Sequence, residues 1–349
     1  MAILKTTKRV ILGALKRTGA FSWMRERQWR ADRLLILGYH SISFEDEHEW
    51  DPSFSMPASV FEARLEMLRS GGYSVLPLHE ALSKLYSNAL PPKSVAITFD
   101  DGLYNFYARA FPILRKYGFP VTLYLTTYYC HNNLPVFNLI CSYMLWKRRR
   151  TIVVPNPALG LNSPIDLATY SSRCRAWDNI SAYTEQNRLT AVQKNELAKA
   201  IALHLELDYE SIASKRLCHL MTPDEIKEVS RNGVDIQMHT HRHRITMDQS
   251  LFEREIYENR SKIQELTGRQ AKHFCYPSGV HRRPYLSWLS DQGVTSATTC
   301  DPGLAHAKSN PLLLPRILDA SHISHIEFES WLTGVSAFIP RNPLLKRLQ

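Results

Sequence analysis

The chain has 349 residues, a formal net charge of +10, and a composition that is 44% hydrophobic and 22% charged. That balance is ordinary for a globular chain and excludes a disordered low-complexity protein; no internal repeat is present. The surplus of Lys and Arg favours acidic partners such as an anionic glycan or lipid surface. The cations form no nucleic-acid motif, and Lys147–Arg150 reads as a solvated loop, so nucleic acid is not an expected partner.

Six cysteines are scattered without a CxxC pair and read as free thiols of a reducing compartment. Residues 1–33 form a basic segment. Its apolar run Val10–Leu15 is closed by Lys16-Arg17 and is too short for a secretory leader or a membrane span. The expectation is a cytoplasmic protein. The segment is either an amphipathic helix packed on the domain or a basic element lying on an anionic inner-membrane surface.

Leu34–Tyr39 is a strongly apolar strand that ends at His40. A helix opens at Pro57-Ala58 and stops at Gly71-Gly72. A short strand over 73–78, a helix over 79–86 and a Pro91-Pro92 loop follow. The stretch Val95–Phe99 is β-favouring and runs into Asp100-Asp101-Gly102. Asp-Asp-Gly is by itself a common turn sequence. At a buried strand end, however, two adjacent carboxylates ionise together only beside a cation.

Residues 103–117 read as a helix stopped by Gly118, and 120–126 as a strand. Residues 130–220 interrupt this rhythm. They read as an insertion flanking a pocket, with a buried or lid element over 134–146 and a helix over 185–205. Thr222-Pro223-Asp224-Glu225 is a helix start. The strand 234–238 runs directly into His239-Thr240-His241-Arg242-His243. A long amphipathic helix (251–266), strands at 272–276, 294–299 and 312–317, and helices at 284–292 and 326–332 complete the chain.

Seven or eight βα steps predict an α/β fold, a barrel of parallel strands over 34–335 with a tail at 336–349. In such barrels chemistry gathers at the strands' C-terminal ends. His40, Asp100, Asp101, His239, His243 and Pro277-Ser278-Gly279 all fall there. His239 and His243 are four apart, which on a helical turn puts both rings on one face. Two His and one carboxylate make a usual catalytic zinc set. Thr240 after the first His argues against a zincin protease, and His241 is out of phase.

The segments Thr98-Phe99-Asp100-Asp101-Gly102 and His239-Thr240-His241-Arg242-His243 resemble the first two motifs of the polysaccharide deacetylase family (carbohydrate esterase family 4, the NodB-homology domain). Phe274–Gly279 is similar to its third motif, and Leu314–Ile317 resembles the end of a common bacterial branch. The resemblance spans roughly 34–332.

The resemblance implies a distorted (β/α)7 TIM-like barrel and a divalent metal, usually zinc, held by Asp101, His239 and His243, with Asp100 as general base. Tyr276, Pro277, Ser278 and Gly279 would line the substrate, with a backbone N–H near Ser278 on the oxyanion. No late strand carries the family's Leu-x-His ending. His40 is therefore the expected acid, ahead of His322 and His325. Cys275 stands where the family often has an arginine beside the base, and Arg316 is the expected replacement.

The implied activity is removal of acetyl groups from N-acetylated sugars of a polysaccharide or lipid-linked glycan. The alternatives are O-deacetylation of a glycan and a glycan-binding barrel without turnover.

Overall fold

A computed structural model describes residues 2–339, with side chains from residue 7. The alternating βα sequence builds one curled sheet. Its parallel strands are β1 (Arg33–Tyr39), β2 (Ser94–Phe99), β3 (Thr122–Leu125), β4 (Asp235–Met238), β5 (His273–Cys275), β6 (Ser296–Thr298) and β7 (Ile317–Leu318). Pairing runs β6–β5–β4–β3–β2–β1–β7, parallel throughout. Leu314, just before β7, bridges Thr298 of β6 and draws the two ends of the sheet together. The result is the distorted (β/α)7 barrel expected from the sequence.

Every residue of β2, and all of β1 except Arg33, is buried, as parallel strands covered on both faces require. The expected strand at 73–78 shrinks to Ser74–Val75, which pairs with the start of β2 and lies off the ring.

The helices, numbered in chain order, begin with α1 (Ala2–Arg17) and α2 (Ala20–Arg25). The barrel then carries α3 (Ala58–Ser70), α4 (Leu78–Tyr86) and α5 (Phe111–Tyr117), the last preceded by a π turn at Phe106–Ala110. The interruption between β3 and β4 holds α6 (Phe137–Lys147), α7 (Tyr170–Gln186) and α8 (Ala191–His204). After it come α9 (Pro223–Arg231), α10 (Gln249–Thr267), α11 (Arg283–Asp291) and α12 (His325–Thr333). Thr222 and Glu225 form a capping box at the start of α9, as the sequence signals.

The expected helix over 185–205 is two helices. Arg188 takes a left-handed φ of 49°, and Thr190 with Gln193 caps α8. The expected buried element over 134–146 is α6. With Ile180 and Ile201 of the following helices, its Met144 and Trp146 form a hydrophobic cluster separate from the barrel core. Phe44 and Trp50 from the loop after β1 pack against that cluster. Of the expected tail, Val335–Phe338 is a short 3-10 turn, and 340–349 lie outside the described residues.

Aromatic packing fixes the strand that carries the acids. Phe99 meets Phe106 at 5.0 Å, Tyr39 at 5.2 Å and Phe61 at 5.6 Å between ring centroids. Each such contact adds about 0.5–1.5 kcal/mol beyond its buried area.

Candidate active site

Side chains alternate faces along a strand, so Asp100 and Asp101 should diverge. They converge because Asp101 turns left-handed, with φ of 69°, just past the end of β2. Gly102 must follow. Its φ is 84°, and a Cβ there would lie 2.3 Å from Leu125 Cδ1.

Asp100 is buried, and Arg316 grips both its oxygens. Nη1 donates to Oδ1 at 2.8 Å and Nη2 to Oδ2 at 2.5 Å. Arg316 Nε donates to the Thr299 carbonyl at 2.9 Å, and Nη2 also reaches Cys275 Sγ at 2.9 Å. Burial acts to raise the Asp100 pKa, but the guanidinium outweighs it and holds the carboxyl below its usual range. His40 Nε2 stands 3.4 Å from Asp100 Oδ2. The strand end carrying His40 is tied to the acid turn by Asn105 Nδ2, which donates to Ser41 Oγ at 2.6 Å.

Asp101 faces two imidazoles. Its Oδ1 lies 3.4 Å from His239 Nε2 and 3.5 Å from His243 Nε2. The helical turn expected for the two histidines is not there. Residues 239–248 form a loop in which Thr240 and His243 take φ of 61° and 54°. Those two left-handed residues, not a helical repeat, bring the rings to 4.9 Å.

His239 Nδ1 donates to the Cys275 carbonyl at 2.8 Å, which leaves Nε2 as the nitrogen that faces Asp101 and, in the neutral ring, as the one that can ligate a cation. His241 points elsewhere, bonding Thr127 Oγ1 through Nδ1 at 2.8 Å. Burial acts to raise the Asp101 pKa, yet the facing imidazoles, His239 before His243, bring it well below the usual carboxylate range. Burial lowers the His243 pKa and favours the neutral, ligating form.

Among the described residues, two sets of donors have their ligand atoms within 4.8 Å of one another: Asp101–His239–His243 and Asp100–His239–Cys275. In the second, the Arg316 guanidinium already sits on Asp100 and Cys275. The first offers a carboxylate and two imidazoles and fits a divalent cation such as zinc.

The segment at 276–279 divides. The Tyr276 ring is buried and its hydroxyl donates to the Leu312 carbonyl at 3.0 Å, so its side chain serves the core. Pro277 is also buried, whereas Ser278 is exposed with a left-handed φ of 54°. His322 bonds the Pro52 carbonyl through Nδ1, and His325 opens α12.

Asn259 was not foreseen. It is fully buried on α10, accepts from the His239 N–H at 2.9 Å, and donates to the Leu125 carbonyl and Thr127 Oγ1. Its place on the same buried stripe as Phe252, Ile256 and Ile263 is the signal that marks it. A cavity of about 570 Å³ lined by His79, Tyr86, His273 and Lys308 shares no residue with this site.

The barrel thus gathers two carboxylates, three imidazoles and an arginine at the C-terminal ends of its strands, where such barrels carry their chemistry. The profile of the family described as "Polysaccharide deacetylase" matches residues 87–159 and 175–297, and the chain belongs to that family. The Bacillus subtilis (strain 168) protein YxkH, itself classed with polysaccharide deacetylases, is 34% identical over 122 residues, covering 35% of this chain and 41% of that one. The poly-beta-1,6-N-acetyl-D-glucosamine N-deacetylase of Escherichia coli (strain K12) is 32% identical over 102 residues, covering 28% of this chain and 15% of that one. The chain thus spans less than half the length of these relatives. The fold matches the Streptococcus pyogenes deacetylase PplD in complex with acetate, with a TM-score of 0.56 at 18% identity over 88% of this chain and 99% of that one.

Proposed function

We propose that the chain is a metal-dependent hydrolase that removes acetyl groups from N-acetylated sugars of a polysaccharide or lipid-linked glycan. The observation that carries this reading is the division of labour between two adjacent aspartates. Asp100 is held ionised by Arg316, and Asp101 is aimed at two imidazoles. The E. coli relative named for an N-deacetylase of poly-N-acetylglucosamine supports the substrate class.

Asp101, His239 and His243 would hold the cation, which when bound polarises an acetyl carbonyl and acidifies water. Asp100 takes the proton of the attacking water. Its low pKa keeps it ionised, and Arg316 fixes both its oxygens so that it does not swing away. His40, beside Asp100, donates a proton to the departing amine. The backbone at the exposed turn of Ser278 supplies a hydrogen-bond donor for the developing oxyanion. The place left by an arginine at Cys275 is filled by Arg316 from the far end of the sheet, which favours turnover over a binding-only barrel.

The test is acetate release from oligomers of β-1,6-linked N-acetylglucosamine by the purified chain. Release that stops on chelation and returns with zinc is expected. A zinc-loaded, folded protein that frees no acetate from any acetylated amino-sugar oligomer would overturn the reading.

A further inference from the structure

The amino-terminal helices present a surface that the hydrolytic reading does not use. On the inner side of α1, Leu12 packs with Phe21 of α2 and with Val335. The cations beside it are paired: Lys8 Nζ lies 3.2 Å from Glu327 Oε1, and Lys16 Nζ lies 2.5 Å from Glu329 Oε2. A helix packed on one side normally shows water a polar face on the other. Here Val10 and Ile11 are 65% and 47% exposed, and Ala14 and Arg17 are exposed with them. At 3.6 residues per turn, Val10, Ala14 and Arg17 share one outward stripe, with Ile11 at its edge. Trp23 of α2 is 56% exposed, and the Arg27 guanidinium stacks on it at 4.0 Å.

The segment that carries this apolar stripe has charge of one sign, and the acids of α12 that reach it, Glu327 and Glu329, pair with Lys8, Arg9 and Lys16. Residues 1–25 contain six Lys and Arg and no Asp or Glu. Glu26, the first acid, is held by Arg25 and Lys93. Arg17 and Arg27 have no carboxylate partner among the described residues. Exposed apolar and aromatic side chains that each adjoin an arginine without a carboxylate partner, Val10 with Arg17 and Trp23 with Arg27, fit a layer of negative headgroups over a hydrocarbon interior. A second copy of this chain fits poorly, since it carries the same charge of +10.

We propose that the α1–α2 face lies on an anionic phospholipid bilayer. Val10, Ile11 and Trp23 enter the headgroup boundary, and Arg17 and Arg27 meet the phosphates. Among the described residues no helix is long and apolar enough to cross a membrane, so this contact is peripheral. The proposal does not depend on the hydrolytic reading.

The test is cosedimentation of the full chain with vesicles of phosphatidylcholine alone and of phosphatidylcholine mixed with phosphatidylglycerol. Binding to the mixed vesicles only, weakened by salt, is expected. The triple substitution Val10→Ser, Ile11→Ser and Trp23→Ser should weaken it roughly tenfold or more. The melting temperature and acetate release from soluble oligomers should stay as they were. Arg17→Glu with Arg27→Glu provides a second variant that leaves the packed side of α1 untouched. Absence of vesicle binding, equal binding to both vesicle types, or binding unmoved by either variant would overturn the proposal. So would self-association in sedimentation velocity that the triple substitution abolishes while vesicles do not bind.

Discussion

Two buried carboxylate–arginine pairs flank β7, and they behave oppositely. Arg316, just before the strand, meets Asp100 through two parallel hydrogen bonds. Asp319, just after it, receives from its arginine one bond only, from Arg64 Nε at 3.1 Å, with weaker support from Tyr39 and the Ala320 backbone. Both acids are almost wholly buried. Asp100 is nonetheless held below the usual carboxylate range, whereas burial pushes Asp319 up to about 6 against the pull of Arg64. Donors on the oxygens, not depth, decide which acid stays charged. Gly38 separates the two pairs. A Cβ there would lie 3.2 Å from Arg316 Nη1 and 2.7 Å from Leu318 Cδ2.

The largest effect should separate the pairs by function. Asp100→Asn removes the proposed base and should cost about 10²–10⁴-fold in acetate release. Asp319→Asn should leave turnover within a few-fold. Equal losses in the two variants would mean that Asp100 acts through the fold and not through the chemistry.

Removing the arginines comes next. Arg316→Ala strands a charged, buried carboxylate and should cost about 3–5 kcal/mol in urea unfolding. Arg64→Ala should cost less at pH 5 than at pH 8, because Asp319 escapes its charge by taking a proton at the lower pH. An Arg64→Ala penalty that ignores pH would show Asp319 to be ionised throughout.

A linkage measurement sharpens the same point. Asp319 has a folded value of about 6 against 3.8 unfolded. The folded chain therefore holds a proton that the unfolded chain has released between those values. Its contribution to stability is fully present below pH 4 and is lost as pH rises through 6. At about 1.36 kcal/mol per unit this amounts to up to about 3 kcal/mol. Asp100 has the opposite sign: its contribution is present above the ordinary carboxylate value and is lost on acidification. The stability of Asp319→Asn relative to wild type should thus climb between pH 4 and 6. A flat difference would remove the contrast between the pairs.

The sequence carried most of what builds the mouth and little of how its groups are turned. Apolar runs such as Leu34–Tyr39 and Val95–Phe99 declare buried strands because parallel pairing hides both faces. Thr222 and Glu225 declare a cap because the bonds are local. The approach of Arg316 to Asp100, 216 residues away, was expected only because a missing cation at Cys275 had to come from somewhere. Backbone choices in loops were not legible. His239 and His243 meet through left-handed Thr240 and His243, neither of which is a residue type that advertises that conformation as glycine does. The break before α8 hides behind Arg188 for the same reason. Asn259 is not legible in the sequence because one polar residue on a long amphipathic helix carries no sign of the three hydrogen bonds that the fold gives it.

Asp101 is the third carboxylate of this neighbourhood, and among the described residues no arginine pairs with it. Its partners are imidazole nitrogens at 3.4 Å and 3.5 Å, long for direct hydrogen bonds and suited to groups that share an ion. A cation bound only by the folded chain adds RT ln(1 + [L]/Kd), about 2.7 kcal/mol at a hundredfold excess over Kd. Zinc should therefore raise the melting temperature of the wild-type chain, and chelation should lower it again. The rise should vanish in Asp101→Asn and His239→Ala but survive in Arg316→Ala, whose guanidinium serves Asp100 and not the donor set. This readout needs no substrate, so it separates the proposed ligands from the proposed base even if no glycan is ever turned over. Equal stabilisation of Asp101→Asn and wild type by zinc would place the cation elsewhere and leave Asp101 as a carboxylate balanced by protonated histidine.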